Sequence, residues 1–274
     1  MSARTVPEAR RTSTVPEARG ANTGPGLVAV SPHLDDAALS ASVALSTGGA
    51  TIATVFTAFP PDGWPVSWWD RLTGATSSIE RQRERLAEDA AVMRLLSATA
   101  VHLGAPEAQY RHGDPDLGSV IDRLTELLRG ASEVWLPSAI GGHRDHAFAR
   151  DAGLRAAFAA GHRDVTLYAD FPYVIAYGWP EWVSALPADT NLDAAFWLAE
   201  QLAGTGLDAE RLTPVVTKLG SVQRELKTAV INAYQTQAGA LKLTPRDLAA
   251  DPAKLDFELA WRMRLNSAAD SPEL

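Results

Sequence analysis

Short apolar runs alternating with longer helix-patterned stretches restrict the fold of this chain more than any other feature. Leu27-Val28-Ala29-Val30 lies between Gly26 and Pro32, and a short apolar run closed by turn residues marks a strand buried on both faces. Thr51 to Thr57, Ala100 to Leu103, Glu133 to Leu136 and Val165 to Tyr168 repeat the pattern. Between them the sequence predicts helices over Asp35 to Leu45, ended by Gly48-Gly49, and over Ile79 to Leu96, Leu117 to Leu128 and His146 to Ala160. Leu86, Ala90, Met93 and Leu96, or their neighbours, are the expected inward positions of the second helix. This alternation predicts an α/β, Rossmann-like three-layer fold with a mostly parallel sheet. Past residue 170 the pattern is irregular. Helices are expected at Pro214 to Ala233 and Lys254 to Leu265, in a C-terminal extension closing over the active-site edge.

The N-terminal stretch is of another kind. Thr5-Val6-Pro7-Glu8-Ala9-Arg10 recurs as Thr14-Val15-Pro16-Glu17-Ala18-Arg19, with too few large apolar residues to build a core. Residues 1–24 are expected to be a disordered tail, leaving 25–274 as one domain. The chain is 46% apolar, enough for a sizeable core. Its net charge of −8 and lack of a basic stripe argue against nucleic acid as a partner. No cysteine is present, so any metal must sit on His and carboxylate. No apolar run is long enough to span a membrane and no apolar leader precedes the domain, so a cytoplasmic location without membrane contact is the expectation. Nothing in the sequence indicates the oligomeric state.

Two segments hold three of the six histidines: Ser31-Pro32-His33-Leu34-Asp35-Asp36-Ala37 after the first strand, and Gly141-Gly142-His143-Arg144-Asp145-His146 after the fourth. Ligands of doubly wound sheets bind beyond strand C-termini, where the strand order reverses. With the order 3-2-1-4-5, the two segments face each other across that crevice. Taken alone, a His-x-x-Asp is more often a helix cap beside a surface histidine; the second cluster makes it a site. His33 and Asp36, at a strand-to-helix turn, and His146 supply the three ligands of a catalytic zinc with an open position. Asp35 and His143 are then left for a general base and an oxyanion or proton-donor group, with Asp145 as a carboxylate that orients an imidazole.

At these residues the sequence resembles the PIG-L/LmbE-like family of zinc-dependent N-acetylglucosaminyl deacetylases. That family carries His-Pro-Asp-Asp-Glu after its first strand and His-x-Asp-His after its fourth. The resemblance runs from about Leu27 to Gln237, with weaker support at Arg85 to Glu88, Leu167 to Tyr173 and Lys227 to Gln237. It implies one Zn2+ per chain on His33, Asp36 and His146, with another divalent transition metal as the alternative. It implies that Asp35 is the base and that His143, held by Asp145, stabilises the oxyanion or assists the departing amine. It also implies that Arg85 contacts substrate. Leu34 stands where the family has Pro and Ala37 where it has Glu, which removes an acceptor near the metal.

Other residues carry weaker signals. Trp64, Trp68 and Trp69, in the loop after the second strand, fit a stacking surface for a sugar or apolar aglycone as well as a loop anchor, with Trp68 as the substrate-binding candidate. His112, with Arg111, is a further substrate-binding candidate. His102 reads as a satisfied core histidine and His162 as a cap. No Gly-x-Gly-x-x-Gly follows the first strand, so dinucleotide binding lacks its main support. The expected function is hydrolytic removal of an N-acetyl group from an N-acetylglucosamine-type amino sugar or glycosylated small molecule, in secondary-metabolite or thiol-cofactor biosynthesis. The alternatives are an amidase for a larger N-acyl group and a non-catalytic carbohydrate-binding protein. His143 is expected to titrate above the ordinary histidine range because Asp145 adjoins it.

Overall fold

A computed structural model describes residues 26–176, 194–203, 211–250 and 252–265; the tail expected at 1–24 lies outside them. Seven strands form one sheet in the order β3-β2-β1-β4-β5-β7-β6. They are β1 (Leu27–Ser31), β2 (Thr51–Phe56), β3 (Thr99–Ala105), β4 (Glu133–Pro137), β5 (Asp164–Tyr168), β6 (Thr213–Lys218) and β7 (Phe257–Arg264). The first five are parallel, and β7 runs antiparallel between β5 and β6. The chain reverses its direction of growth at β1 and β4, so the crevice predicted beyond their ends exists.

The helices are α1 (Asp36–Ser40), α2 (Ser42–Leu45), α3 (Trp68–Leu72), α4 (Ser78–Leu96), α5 (Leu117–Leu128), α6 (Arg144–Ala159), α7 (Tyr173–Ala176), α8 (Ala194–Leu202), α9 (Ser221–Ala233), α10 (Gln235–Ala238) and α11 (Pro245–Ala250). One face of the sheet is covered by α5 and α6, where Val120, Leu124, Leu128 and Ala149 meet Val30, Val55, Val134 and Leu136. The other is covered by α1, α2, α4 and α9, where Leu39, Leu45, Val92, Leu96, Val230 and Ile231 meet Ala29 and Ile52. These are the two helix layers of the three-layer fold. Helix α6 lies so close on β4 that a Cβ at Gly153 would come 2.5 Å from Leu136 Cδ2. That contact fixes the start of α6 above the strand ends. Among the described residues no helix is long and apolar enough to cross a membrane.

Three expectations are corrected, and for the inward face of α4 the neighbours Arg85 and Asp89 take the place of Leu86 and Ala90. The helix expected over Asp35 to Leu45 breaks at Ala41, whose φ of −136° and ψ of 35° are not helical. The stretch Pro214 to Ala233 is a strand and then a helix, because the β-branched Val215-Val216-Thr217 run stops at Gly220 before α9 begins. Lys254 to Leu265 is a short 3-10 turn followed by β7 rather than a helix. In α4, Ala90 is exposed and Leu86 half-buried, while Arg81, Gln82, Arg85 and Asp89 join Met93 and Leu96 on the buried face. The first half of that helix packs on polar groups: Gln82 donates to the Thr57 carbonyl and Arg85 pairs with Glu107.

Candidate active site

The turn after β1 delivers His33, Asp35 and Asp36, and the start of α6 delivers His143, Asp145 and His146. Ser31 shapes the turn, donating to the His33 carbonyl at 2.5 Å and accepting from the Ala37 N–H at 3.0 Å. Tyr234 on the opposite layer donates to the Leu34 carbonyl at 2.9 Å, so the residue in place of the family's proline is held from outside the turn.

One oxygen gathers the cluster. Asp36 Oδ2 accepts the His33 backbone N–H at 2.8 Å, lies 3.0 Å from His33 Nδ1 and lies 3.3 Å from His146 Nε2. Donor atoms around a tetrahedral zinc with ~2.0–2.1 Å bonds stand about 3.3 Å apart. The outer nitrogen of each imidazole meets a carboxylate. His33 Nε2 is 3.0 Å from Asp145 Oδ2, and His146 Nδ1 is 2.6 Å from Asp170 Oδ1. That is the arrangement by which carboxylates orient metal-ligating histidines. His146 Nε2, fully buried, has no hydrogen-bond partner, and an orphaned lone pair among carboxylates suits a cation. His33, Asp36 and His146 can bring one donor atom each within 4.8 Å of one another, as can His33, His143 and Asp145.

The electrostatics agree with this donor set. Against the penalty of burial, Asp36 and then Asp145 raise the His33 pKa well above its usual value. Asp36 and Asp170 do the same for His146, also against burial. A cluster that draws protons onto two buried imidazoles is short of positive charge. Burial, reinforced by Asp36, pushes the Asp35 carboxyl up to about 6, although Arg85 and His33 pull the other way.

His143 departs from expectation. Burial, with positive charge on His33 and His146, pushes it down to about 4, and Asp145 opposes this only weakly. The Asp145 carboxylate is engaged elsewhere, with His33, the Arg111 guanidinium at 2.5 Å and the Ala108 N–H at 2.9 Å. What reaches His143 is the Asp145 backbone N–H, 3.2 Å from Nδ1, with His143 as the N-cap of α6. An accepting Nδ1 carries a lone pair, so the neutral ring has its proton on Nε2.

His33, Asp35, Asp36, His143 and Asp145 line a cleft of about 760 Å³ with Arg85, Glu107, Trp64, Trp68, Trp69 and Tyr173 among its other walls, while His146 is fully buried and outside that lining. The C-terminal extension reaches it through Gln237 and Leu241. Arg85 is buried and bound to Glu107 at 2.5 Å. His112 is not brought to this cleft: it packs on Trp64, centroids 4.8 Å apart, and lines a separate, smaller pocket. His102 is exposed, not in the core, and is satisfied by Asp89 at 2.9 Å. His162 Nε2 reaches the last carbonyl of α5, Leu128 O, at 2.7 Å. Ala37, in place of the family's glutamate, is wholly buried among apolar residues, and the two imidazoles have acceptors without it. Sequence reasoning missed Asp170 and Glu107, and gave Arg111 only a secondary place. Asp170 stands just beyond β5, beside β4, and that position was the available signal.

No family model matches the chain. It is 32% identical over 160 residues to a 2'-N-acetylparomamine deacetylase of Streptomyces fradiae. That match covers 53% of this chain and 56% of the relative, so the chain spans little more than half of the curated protein it resembles. The solved structure of an A40926 pseudoaglycone deacetylase is 25% identical, with a TM-score of 0.62 over 88% of this chain and 98% of that one. Its relatives are deacetylases of the PIG-L/LmbE type. The zinc-inhibited form of a teicoplanin deacetylase shares the fold at 20% identity and a TM-score of 0.64, over 88% of this chain and 99% of that one.

Proposed function

We propose that this protein is a metal-dependent hydrolase that removes the N-acetyl group of an amino sugar or its conjugate. The observation that carries the reading is the convergence of His33, Asp36 and His146 on a buried point beside Asp35 and His143, on a fold whose relatives are deacetylases. His33 Nδ1, Asp36 Oδ2 and His146 Nε2 would hold one zinc-class ion per chain. Bound there, the ion supplies Lewis acidity toward the amide carbonyl and makes a coordinated water more acidic.

The remaining roles belong to the chain. Asp145 and Asp170 hold the two imidazoles in one tautomer and orientation. Asp35 accepts the proton of the attacking water; a carboxylate near 6 is ionised at neutral pH and still a useful base. His143 donates from Nε2 to the oxygen on which negative charge develops, and as a neutral donor it needs no protonation to do so. When the C–N bond breaks, Asp35 returns its proton to the departing amine. Arg85, neutralised by Glu107, keeps guanidinium hydrogens for substrate hydroxyls without adding net charge. A carbohydrate-binding protein would have no use for a buried base beside a metal site.

The test is a panel of N-acetyl sugars and sugar conjugates with the metal-loaded protein, measuring released acetate and free amine. Equal release of both supports the reading. No release from any member overturns it.

A further inference from the structure

Building on that reading, we propose that the outer half of the cleft is a subsite for an apolar, aromatic body carried by the sugar. The substrate is then an amino-sugar conjugate with an uncharged aryl-type aglycone, rather than a free sugar or a polycationic aminoglycoside.

The wall is held in place from several elements. Trp64 Nε1 donates to the Gln109 carbonyl at 3.0 Å, and Trp69 Nε1 donates to Gln237 Oε1 at 2.8 Å. Gln109 also joins the wall to the reacting end. Its Nε2 donates to Glu107 Oε2 at 2.6 Å, and its Oε1 accepts from Ser67 Oγ at 2.5 Å. Glu107 is the partner of Arg85, and Ser67 caps the helix that carries Trp68 and Trp69. Two indoles are therefore fixed relative to the cluster. Trp68, centroid 6.0 Å from Trp69, lines the cleft and is 68% exposed. Leu72, one turn along the same helix, is also exposed. Single exposed apolar residues are ordinary, whereas an exposed indole beside two anchored ones on a cleft wall marks a binding surface.

Charge selects among apolar and cationic bodies. Of the wall residues between Trp64 and Arg71 that line the cleft, only Arg71 is charged. Asp70 is turned inward, where Ser78 and Tyr110 hydroxyls occupy its Oδ2. In this outer stretch no carboxylate lines the cleft to meet a polyamine, and Glu107, at the reacting end, is already paired with Arg85. Position selects the aglycone over the acyl group, because the amide must sit at the buried cluster while Trp68 stands at the open end. An acetyl methyl has nothing to extend that far. At about 760 Å³ the cleft falls among those for drug-sized ligands, ~300–1,000 Å³.

The experiment measures kcat/KM by amine release for N-acetylglucosamine, its phenyl glycoside, an N-acetylated aminoglycoside and N-decanoylglucosamine, all with metal-loaded protein. In the wild type the phenyl glycoside should exceed the free sugar by about tenfold or more, the scale of one aromatic stack plus its buried area. That ratio should fall toward one in Trp68→Ala and persist in Leu95→Ala, a change on the exposed face of α4. A wild-type ratio near one, or the aminoglycoside or the decanoyl sugar as best substrate, overturns the subsite. If nothing is cleaved, the proposed function fails and the subsite is still decided by tryptophan fluorescence. Saturable quenching by the phenyl glycoside at concentrations where the free sugar has no effect supports it; equal or absent quenching overturns it.

Discussion

The Asp145 carboxylate holds His33, 112 positions earlier in the chain, with Oδ2 3.0 Å from Nε2. To His143, two positions before it, Asp145 gives only its backbone N–H. The motif Gly142-His143-Arg144-Asp145-His146 is thus split by the first turn of α6. His143 caps the helix, Asp145 reaches across to the other cluster, and His146 turns to Asp36 and Asp170. The two segments are interlocked by this crossing pair before any ligand arrives.

Loss of either orienting carboxylate should weaken the metal while leaving its ligands in place. Asp145→Asn and Asp170→Asn are each expected to lower affinity by about 10- to 100-fold. Competition against a chromogenic chelator measures this directly. Unchanged affinity in both variants would mean that packing alone orients the imidazoles.

Metal binding should also stabilise the folded chain. Protein purified without chelator should carry about one divalent ion per chain, and stripped protein should regain about 2.7 kcal/mol at a free-ion concentration 100 times Kd. His146→Ala should abolish both the stoichiometric ion and the thermal shift. Full occupancy in that variant would reject the ligand assignment.

Asp35 is buried beside Asp36 without being counted among the ligands. Asp35→Asn should keep its metal and lose at least about 10²-fold in turnover, the low end for a general base. Metal analysis and steady-state kinetics on the same preparation check both halves. Normal turnover would move the base elsewhere.

His143 caps α6, and the proposed function gives it a second, separable duty as oxyanion donor. His143→Ala should cost about 1 kcal/mol of stability through the lost cap, and activity as well. His143→Asn should keep the cap and stability yet still lose turnover, because the amide presents no Nε2–H. Thermal melts beside kinetics separate these outcomes. Equal turnover in Asn and wild type would make the residue a cap only.

Lys227 Nζ lies 3.4 Å from Glu258 Oε1 and 4.6 Å from the Phe171 ring centroid, in full burial. Lys227→Met strands the Glu258 carboxylate, which keeps Ser42 Oγ at 2.6 Å but loses its countercharge. The expected cost is about 3–5 kcal/mol in urea unfolding. Adding Glu258→Gln should recover part of it; no recovery would show that packing, not charge, is lost.

Much of the architecture could be read in advance because the first five strands are short apolar or β-branched runs, and burial between helix layers permits little else. The segment after Lys254 was misread for want of the right period. Phe257, Leu259, Trp261, Met263 and Leu265 alternate with Arg262 and Arg264, a period of two that belongs to a strand. The meeting of His33 and Asp36 with His146 followed from strand order. The partner of Asp145 did not, since side-chain direction at a helix start depends on which atom caps it. Asp170 lies inside the supporting stretch Leu167 to Tyr173, which assigns it no role of its own. Its role comes from β5 lying beside β4, a tertiary fact. The polar inner face of α4 was hidden for a similar reason, as its partners are a loop carbonyl and Glu107 rather than the sheet.

The loop between β2 and α4 is anchored in polar sockets formed by Gln109, Tyr110, Gln237, the Ala105 carbonyl and the α4 side chains of Ser78, Arg81 and Gln82. None of them lies on the turn or the helix start that hold the reacting groups. The loop is consequently an exchangeable part. A replacement that plugs into the same sockets would change which molecules are admitted and leave the chemistry beneath it as it was, so selectivity in this scaffold can evolve, or be engineered, without reopening the reaction itself.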